Sequence, residues 1–140
     1  MKALFKYTVF LLSLATLLLA LTACANTLSG NYVPAENNLE NGGVTYYFTD
    51  TEVTMTMLMN GEVIQYVCDY KIIPNEEDPE KEIITTVFTD VLYYGTDKTV
   101  AASVKAMKKT YVDGTVHKAD FFRGEGYVII NDLKLIKDQE

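Results

Sequence analysis

The sequence predicts a mainly β protein, a small antiparallel up-and-down meander that curls into a barrel or half-barrel with one α-helix near residues 98–112. Three observations predict this class. From residue 30 onward, short runs rich in Val, Ile, Thr, Tyr and Phe alternate with turn signals such as Asn60-Gly61. Ten tyrosines and six phenylalanines, without any tryptophan, favour half-buried pleated surfaces. Only one segment has the apolar period of an amphipathic helix.

The N-terminal segment predicts a bacterial lipoprotein signal. Two lysines precede an apolar run from about Tyr7 to Leu21, and small residues then lead to a cysteine in Leu21-Thr22-Ala23-Cys24. This arrangement is typical of the lipobox that signal peptidase II cleaves, so residues 1–23 are the predicted signal and Cys24 is the predicted lipidation site. Two acyl chains, at roughly 0.8 kcal/mol per buried methylene, give stable anchoring. An ordinary cleaved signal with a chance cysteine is the alternative interpretation.

The mature chain is expected to be one acidic domain. Removal of the signal leaves 117 residues, which suits a single domain over residues 30–140 behind a short tether at residues 24–29. The signal carries two lysines and no acid, so the formal net charge goes from −7 for the whole chain to −9 for the mature chain. This balance argues against nucleic acid as a partner. It also predicts that the lipid, not surface charge, holds the protein at the outer face of a cell membrane.

The two cysteines have different predicted roles. Commitment of Cys24 to lipid leaves Cys68 without an intramolecular partner, which excludes a disulfide-stapled scaffold. The alternating pattern around Cys68 places it on the inward face, where a free cysteine usually acts as a small buried hydrophobe. A reactive or redox role is the alternative, but no His, Lys or Arg adjacent in sequence would lower its pKa.

Two tight turns predict the register of the first three long strands. Asn60-Gly61 supplies the residue pair of a two-residue type I′ hairpin, and Asp50-Thr51 supplies a second turn. The first turn pairs Met57 with Ile64, Met55 with Tyr66, and Val53 with Cys68. The second pairs Phe48 with Val53, Tyr46 with Met55, and Val44 with Met57. All three strands therefore present one apolar face.

The middle of the chain predicts an acidic loop, a strand and the helix. Residues 74–82 form the loop, and residues 83–88 form a strand. The pattern does not decide which residues of this strand face inward, because both of its faces mix apolar residues with threonine. Asp97 is the expected N-cap of a helix at residues 98–112, whose apolar stripe follows a period of 3.6. A strand over residues 104–112 is the alternative. The stripe consists of Val100, Val104, Met107 and Tyr111.

The C-terminal part predicts three more strands. Residues 115–122 form a strand, and residues 127–130 and 133–136 form a closing hairpin through Asn131-Asp132. The inner face of this hairpin is expected to carry Val128, Ile130, Leu133 and Leu135.

Three segments beside the lipobox resemble a family of small Gram-positive-type bacterial lipoproteins with a lipocalin-like domain of unknown function. They are Leu28-Ser29-Gly30-Asn31-Tyr32, the strand pair starting at Gly43 and Val53, and Gly126-Tyr127-Val128-Ile129-Ile130-Asn131-Asp132-Leu133. The resemblance implies a lipocalin-like barrel and an envelope location. It implies no activity.

The methionines of one predicted strand are the first candidate for chemistry. Met55, Met57 and Met59 alternate along the strand, and three thioethers could bind Cu(I). Core packing is the favoured interpretation, because no His or Cys is interleaved. A third interpretation makes this face the lining of a barrel cavity for an apolar ligand. The candidate cavity-lining residues are Tyr46, Met55, Met57, Tyr66 and Tyr70.

Two other groups of residues favour structural interpretations. The acidic residues between Glu76 and Glu82 lack the spacing and glycine of an EF-hand, so a solvated loop is favoured over a calcium site. His117 is the only histidine, and Asp120 is near it in sequence. No nucleophile motif or paired-carboxylate signature accompanies this pair, so no catalytic residue, metal or cofactor is predicted.

The sequence therefore predicts a non-enzymatic, lipid-anchored binding module for a small apolar ligand or an envelope protein partner. This hypothesis requires an unfilled cavity on the inner face. A structural or assembly-supporting lipoprotein without a small-molecule ligand is the alternative. That alternative predicts an exposed aromatic patch, for which Tyr47, Tyr93 and Tyr94 are the candidates.

Overall fold

The computed structural model describes residues 26–36 and 43–139. The predicted signal and Cys24 lie outside these residues. Within them, eight strands and one helix follow one another along the chain. The strands are β1 (Gly30–Pro34), β2 (Thr45–Phe48), β3 (Glu52–Met59), β4 (Glu62–Pro74), β5 (Glu82–Tyr94), β6 (His117–Gly124), β7 (Tyr127–Ile130) and β8 (Leu133–Lys137), and the helix α1 (Lys98–Tyr111) lies between β5 and β6.

The strands form a closed antiparallel barrel in chain order, which confirms the predicted fold class. Each strand pairs with the next, and β1 closes the barrel by pairing with β8 through Val33 and Ile136. The structure thus decides between the barrel and the half-barrel, because closure leaves neither β1 nor β8 as a free edge. In the part of the chain described, no helix combines the length and the apolar composition needed to span a bilayer.

The register predicted from the two turns is confirmed, apart from one pair. Asn60 and Gly61 both have positive φ, as a type I′ turn requires. The predicted partners of Met55 are Tyr46 on one side and Tyr66 on the other, and both are observed. The pair of Val44 with Met57 is absent, because β2 begins one residue later.

A β-bulge explains why the parity of β5 is ambiguous in sequence. Cys68 on β4 pairs with Phe88, whereas Val67 pairs with Asp90, so Thr89 is an extra residue in β5. The hydroxyl of Thr89 donates to the Val67 carbonyl at 3.2 Å. Before the bulge the even-numbered residues face inward, and after it the odd-numbered residues do. No single period of two fits the whole strand.

The helix is confirmed at residues 98–111, and the alternative strand is not formed. Its N-cap Asp97 accepts hydrogen bonds from the backbone nitrogens of Thr99 at 2.7 Å and Val100 at 3.2 Å. Val100 and Val104 are buried against Ile64 of β4 and Val91 of β5. β6 pairs only with the first residues of β5, from Glu82 to Thr86, so α1 covers the inner side of the remainder.

A salt bridge fixes the last turns of α1 beside the bulge. The Lys108 ammonium lies 2.8 Å from the Asp90 carboxylate. This hydrogen bond lowers the pKa of Asp90, which keeps the carboxylate charged. The helix is therefore joined to β5 by an ion pair as well as by its apolar stripe.

The last three strands follow the prediction with a shift of two residues in β6. β6 begins at His117 instead of Thr115, because the Asp113 carboxylate accepts from the Thr115 backbone nitrogen at 2.8 Å and prolongs the turn. In the closing hairpin Val128 and Leu135 are buried, as predicted. Leu133 has the same parity but is 40 % exposed, because it lies at the barrel end.

A second buried cluster fills the end of the barrel where β1 begins. It contains Tyr32, Phe48, Tyr70 and Leu28, so the chain is already packed two residues before the predicted domain start. The Phe48 ring makes edge contacts with Tyr32 and Tyr70, each at a centroid distance of 5.3 Å. We call this the closed end of the barrel. The end that carries α1 and the β7–β8 turn is the open end.

Candidate functional site

An apolar cavity of about 320 Å³ lies inside the barrel between the closed end and the open end. Its floor is formed by Phe48, Val53 and Cys68 of the closed-end cluster, and its rim includes His117 and Leu133. A cavity of this volume is at the lower end of the range seen for small-molecule sites. The barrel interior is therefore not filled completely by its own side chains.

One wall of the cavity is a row of three side chains on neighbouring strands. Tyr46 of β2 pairs with Met55 of β3, which pairs in turn with Tyr66 of β4. Paired residues project to the same face of a sheet, so the tight turns that fix the register also assemble this wall. All three were candidate lining residues from the sequence.

Next to this wall, an aromatic cluster that includes Tyr66 joins the barrel to α1. The Phe88 ring lies 6.2 Å from Tyr66, 5.6 Å from Tyr111 of the helix and 5.6 Å from the His117 ring, measured between centroids. The Tyr66 hydroxyl also donates to the Met107 sulfur at 2.9 Å. Phe88 and His117 both line the cavity, so the helix supports the wall without filling the space.

The polar groups around the cavity are few: the Tyr46 phenol, the Cys68 thiol and the Thr86 hydroxyl lie in the lining, which also includes His117, Lys118 and Asn131. Burial raises the pKa of the Tyr46 phenol, which therefore remains a neutral hydroxyl able to donate or accept. Burial, and then the carboxylates of Asp69 and Glu52, raise the pKa of the Cys68 thiol to about 11. Thr86 adds a further hydroxyl to the lining. Such a site suits an apolar molecule with a single hydrogen-bonding group.

Two of the predicted lining residues lie elsewhere. Met57 packs against the cluster formed by α1, β4 and β5. It pairs with Ile64 nearer the open end of the barrel, where the helix covers the sheet. Tyr70 lies in the closed-end cluster, where its hydroxyl accepts from the Leu28 backbone nitrogen at 2.8 Å and donates to the Thr49 carbonyl at 2.6 Å. Tyr70 therefore closes the barrel below the cavity.

The sequence reasoning missed Ile84, Thr86, Phe88 and the rim position of His117. The first three lie on β5, whose parity is concealed by the bulge at Thr89. Phe88 pairs with Cys68, whose inward position the turn at Asn60-Gly61 predicts. Aligning β5 with β4 so that Phe88 lies opposite the inward-facing Cys68 would therefore have placed Phe88 in the cavity.

His117 and Asp120 do not form a pair. They are three positions apart on β6 and therefore project to opposite sides of the sheet. Hydrogen bonds from the backbone nitrogen and the side chain of Thr115 lower the pKa of the Asp113 carboxyl in the turn before β6. The described geometry places His117 at the rim of the cavity beside Phe88.

The other chemical candidates are also dispersed. Met55 lines the cavity, whereas Met57 and Met59 pack against the helix cluster. In the acidic loop, Asp78 makes an exposed ion pair with Lys81 at 3.1 Å. Within the described ranges, no three His, Cys, Asp or Glu side chains are grouped so that they could hold a metal ion.

The three tyrosines proposed as an aromatic patch do not lie together. Tyr93 is partly buried against the helix cluster. Tyr47 and Tyr94 are exposed, but they lie on β2 and β5, which are separated by two other strands. The cavity is therefore a better-defined candidate site than this surface.

Comparison with protein-family models, with curated proteins and with solved structures finds no match for this chain.

Proposed function

We propose that this protein is a lipid-anchored, extracytoplasmic module of the cell envelope that binds a small apolar ligand inside its barrel. The observation that carries the proposal is the apolar cavity between the Tyr46, Met55 and Tyr66 wall and Phe88. The chemistry of the lining supports non-covalent binding, because its thiol and phenol are protonated near neutral pH. We give ligand binding precedence over an envelope protein partner or a purely structural role because Tyr47, Tyr93 and Tyr94 are scattered.

The cavity volume restricts the size of the ligand. At about 30 Å³ for each water-sized group, roughly ten such groups fill 320 Å³. A short alkyl chain or a bicyclic ring system meets this limit. The hydroxyls of Tyr46 and Thr86 would orient one polar substituent, while the aromatic wall buries the remainder.

Calorimetric titration with 1-naphthol, a bicyclic aromatic with one hydroxyl, tests the proposal. We expect saturable binding with a negative heat-capacity change, because apolar surface is removed from water. Ala119 lines the cavity, so Ala119→Phe should fill it and abolish binding. Ala101 is exposed on α1, and Ala101→Phe is the matched control that should bind normally.

Thermal unfolding of both variants shows whether the barrel is intact. Should Ala119→Phe prove unfolded, Met55→Phe fills the cavity from the opposite wall and replaces it. Equal binding by a folded cavity-filling variant and by the control would show that 1-naphthol does not occupy the cavity, and the proposed function would be rejected.

The envelope location rests on the lipobox at residues 21–24 and on the resemblance to small lipoproteins with lipocalin-like domains. Metabolic labelling with a radioactive fatty acid tests it in a bacterial host that has signal peptidase II. Label should enter the parent protein and be absent from Cys24→Ala. Equal labelling of the two would remove Cys24 as the anchor.

A further inference from the structure

The N-terminal tether leaves the barrel at its closed end. Leu28 is buried there, and the Thr27 carbonyl accepts a hydrogen bond from the Arg123 guanidinium at 3.2 Å. Four residue steps separate Leu28 from Cys24, which span at most roughly 14 Å. If Cys24 carries the lipid, as the proposed function requires, the closed end is held within this distance of the bilayer.

The groove next to this point is lined by cations in a chain that is acidic overall. It has a volume of about 200 Å³, and it lies between Arg123 and Lys137, with Ser29 and the glycines of the β6–β7 turn beside them. The alkyl chain of Lys137 passes over Gly30, where an added Cβ would lie 3.5 Å from the Lys137 Cε. Glu125 and Asp138 are the acids nearest in sequence to these cations. The groove thus combines two cations, a hydroxyl and exposed backbone, which suits a phosphate group.

The outer surface adjoining this groove has the composition of a membrane interface. Tyr127 of β7 pairs with the exposed Ile136 of β8, so both project from the barrel on the same face. The Lys134 ammonium lies 4.4 Å from the centre of the Tyr127 ring. Tyrosines and long basic side chains, which place an apolar body in lipid and a polar tip in water, are typical of residues at headgroup level.

The Tyr127 ring also covers the end of β6. A Cβ at Gly124 would overlap this ring, so the tyrosine lies flat across the strand instead of pointing away from it. On the β6 side the surface is bounded by a groove that contains Glu77 and Asp78 of the acidic loop. The face suited to lipid is therefore centred on β7, β8 and the closed end, with the exposed Phe122 ring of β6 beside Tyr127.

We infer that the closed end and the outer face of β7 and β8 rest on the phospholipid surface that holds the anchor, with lipid phosphates bound between Arg123 and Lys137. This orientation turns the open end, with the rim of the cavity at His117, away from the bilayer. The lipid holds the protein at the membrane. The outer face formed by Tyr127, Ile136 and Lys134, together with Lys137 at the closed end, sets its orientation.

Single-tryptophan fluorescence tests this orientation, because the chain has no tryptophan of its own. The protein is expressed from the whole sequence in a host that has signal peptidase II and is reconstituted in vesicles of phosphatidylglycerol and phosphatidylcholine with brominated acyl chains. Tyr127→Trp places the probe on the inferred face. Tyr94→Trp is the matched control, because Tyr94 is exposed at the opposite end of the barrel. We expect a blue shift and quenching of the first probe and neither effect for the second.

A charge reversal tests the role of the cations. Lys137→Glu, introduced beside Tyr127→Trp, should reduce quenching, whereas Lys105→Glu on the exposed surface of α1 should leave it unchanged. Flotation of the vesicles separates the two proposals. A protein that does not float lacks the anchor, which would overturn the envelope location and this inference together. A protein that floats with an unquenched Tyr127→Trp would overturn only the orientation.

Discussion

The Tyr70 hydroxyl accepts a hydrogen bond of 2.8 Å from the backbone nitrogen of Leu28, 42 residues earlier in the chain. The same hydroxyl donates to the Thr49 carbonyl at 2.6 Å. These two bonds join the start of the described chain, the β2–β3 turn and β4 at the closed end. Because Leu28 is buried, its backbone nitrogen has little access to water when Tyr70 is altered.

Tyr70→Phe should therefore destabilise the barrel by about 1–3 kcal/mol, the cost of leaving a buried donor without a partner. The free energy of unfolding in urea measures this effect. Tyr94→Phe removes a hydroxyl from an exposed ring and should change stability by less than about 0.5 kcal/mol. Equal stability of the two variants would show that the Tyr70 hydrogen bonds contribute nothing to closure.

Cys68 should make the protein less stable at alkaline pH. Burial raises the pKa of its thiol to about 11, above the ordinary value, so the unfolded chain loses this proton at a lower pH than the folded chain does. The stabilising contribution is complete below the ordinary thiol pKa and is lost as pH rises from there to about 11. Each pH unit in this window costs at most about 1.4 kcal/mol.

The free energies of unfolding of the parent protein and of Cys68→Ala, compared at pH 8 and pH 10.5, measure this loss of stability. Burial also raises the pKa of Tyr32, Tyr46, Tyr66 and Tyr70, so only the difference between the two proteins reports on the thiol. The parent should lose more stability between the two pH values than the variant. Parallel losses would mean that Cys68 titrates normally in the folded protein.

The N-cap of α1 should contribute measurably to stability. Asp97→Ala removes the acceptor for the backbone nitrogens of Thr99 and Val100, which should cost about 1 kcal/mol. Asp97→Asn keeps an oxygen acceptor and is the matched control. Chemical denaturation distinguishes the two variants. An Asp97→Ala variant as stable as the control would show that the N-cap does not stabilise α1.

Gly61 should be required for the turn that fixes the register of the cavity wall. Its φ of 79° lies in the left-handed region, so Gly61→Ala should cost roughly 1 kcal/mol. Asn60→Gly is a suitable control, since glycine also tolerates the φ of 53° at that position, and it should unfold close to the parent.

The fold was predictable where the chain carries local turn chemistry. Asn60-Gly61 determines a register, and that register places Met55 opposite Tyr66 without any knowledge of the rest of the barrel. Asp97 and the stripe through Val104 likewise determine α1. In each case the deciding interactions lie within a few residues of one another in sequence.

The remainder depends on contacts that are distant in sequence. The bulge at Thr89 changes the parity of β5, so the inward position of Phe88 follows only from its pairing with Cys68. Tyr70 has the inward parity of a cavity residue, but its partners Leu28 and Thr49 hold it in the closed end. Closure through β1 and β8 also required the structure, because an alternating pattern is the same in a barrel and in an open sheet.

In the proposed function an apolar ligand occupies the space beside Met55. The methionines remaining after the predicted signal are Met55, Met57, Met59 and Met107, so a sample labelled with ¹³C in the methionine methyl groups gives a simple NMR spectrum. Titration with 1-naphthol should shift the Met55 signal strongly, through the ring current of the bound aromatic, and shift Met59 little. Loss of a signal in Met55→Leu identifies it. Saturating 1-naphthol that leaves the Met55 methyl unshifted would contradict the account.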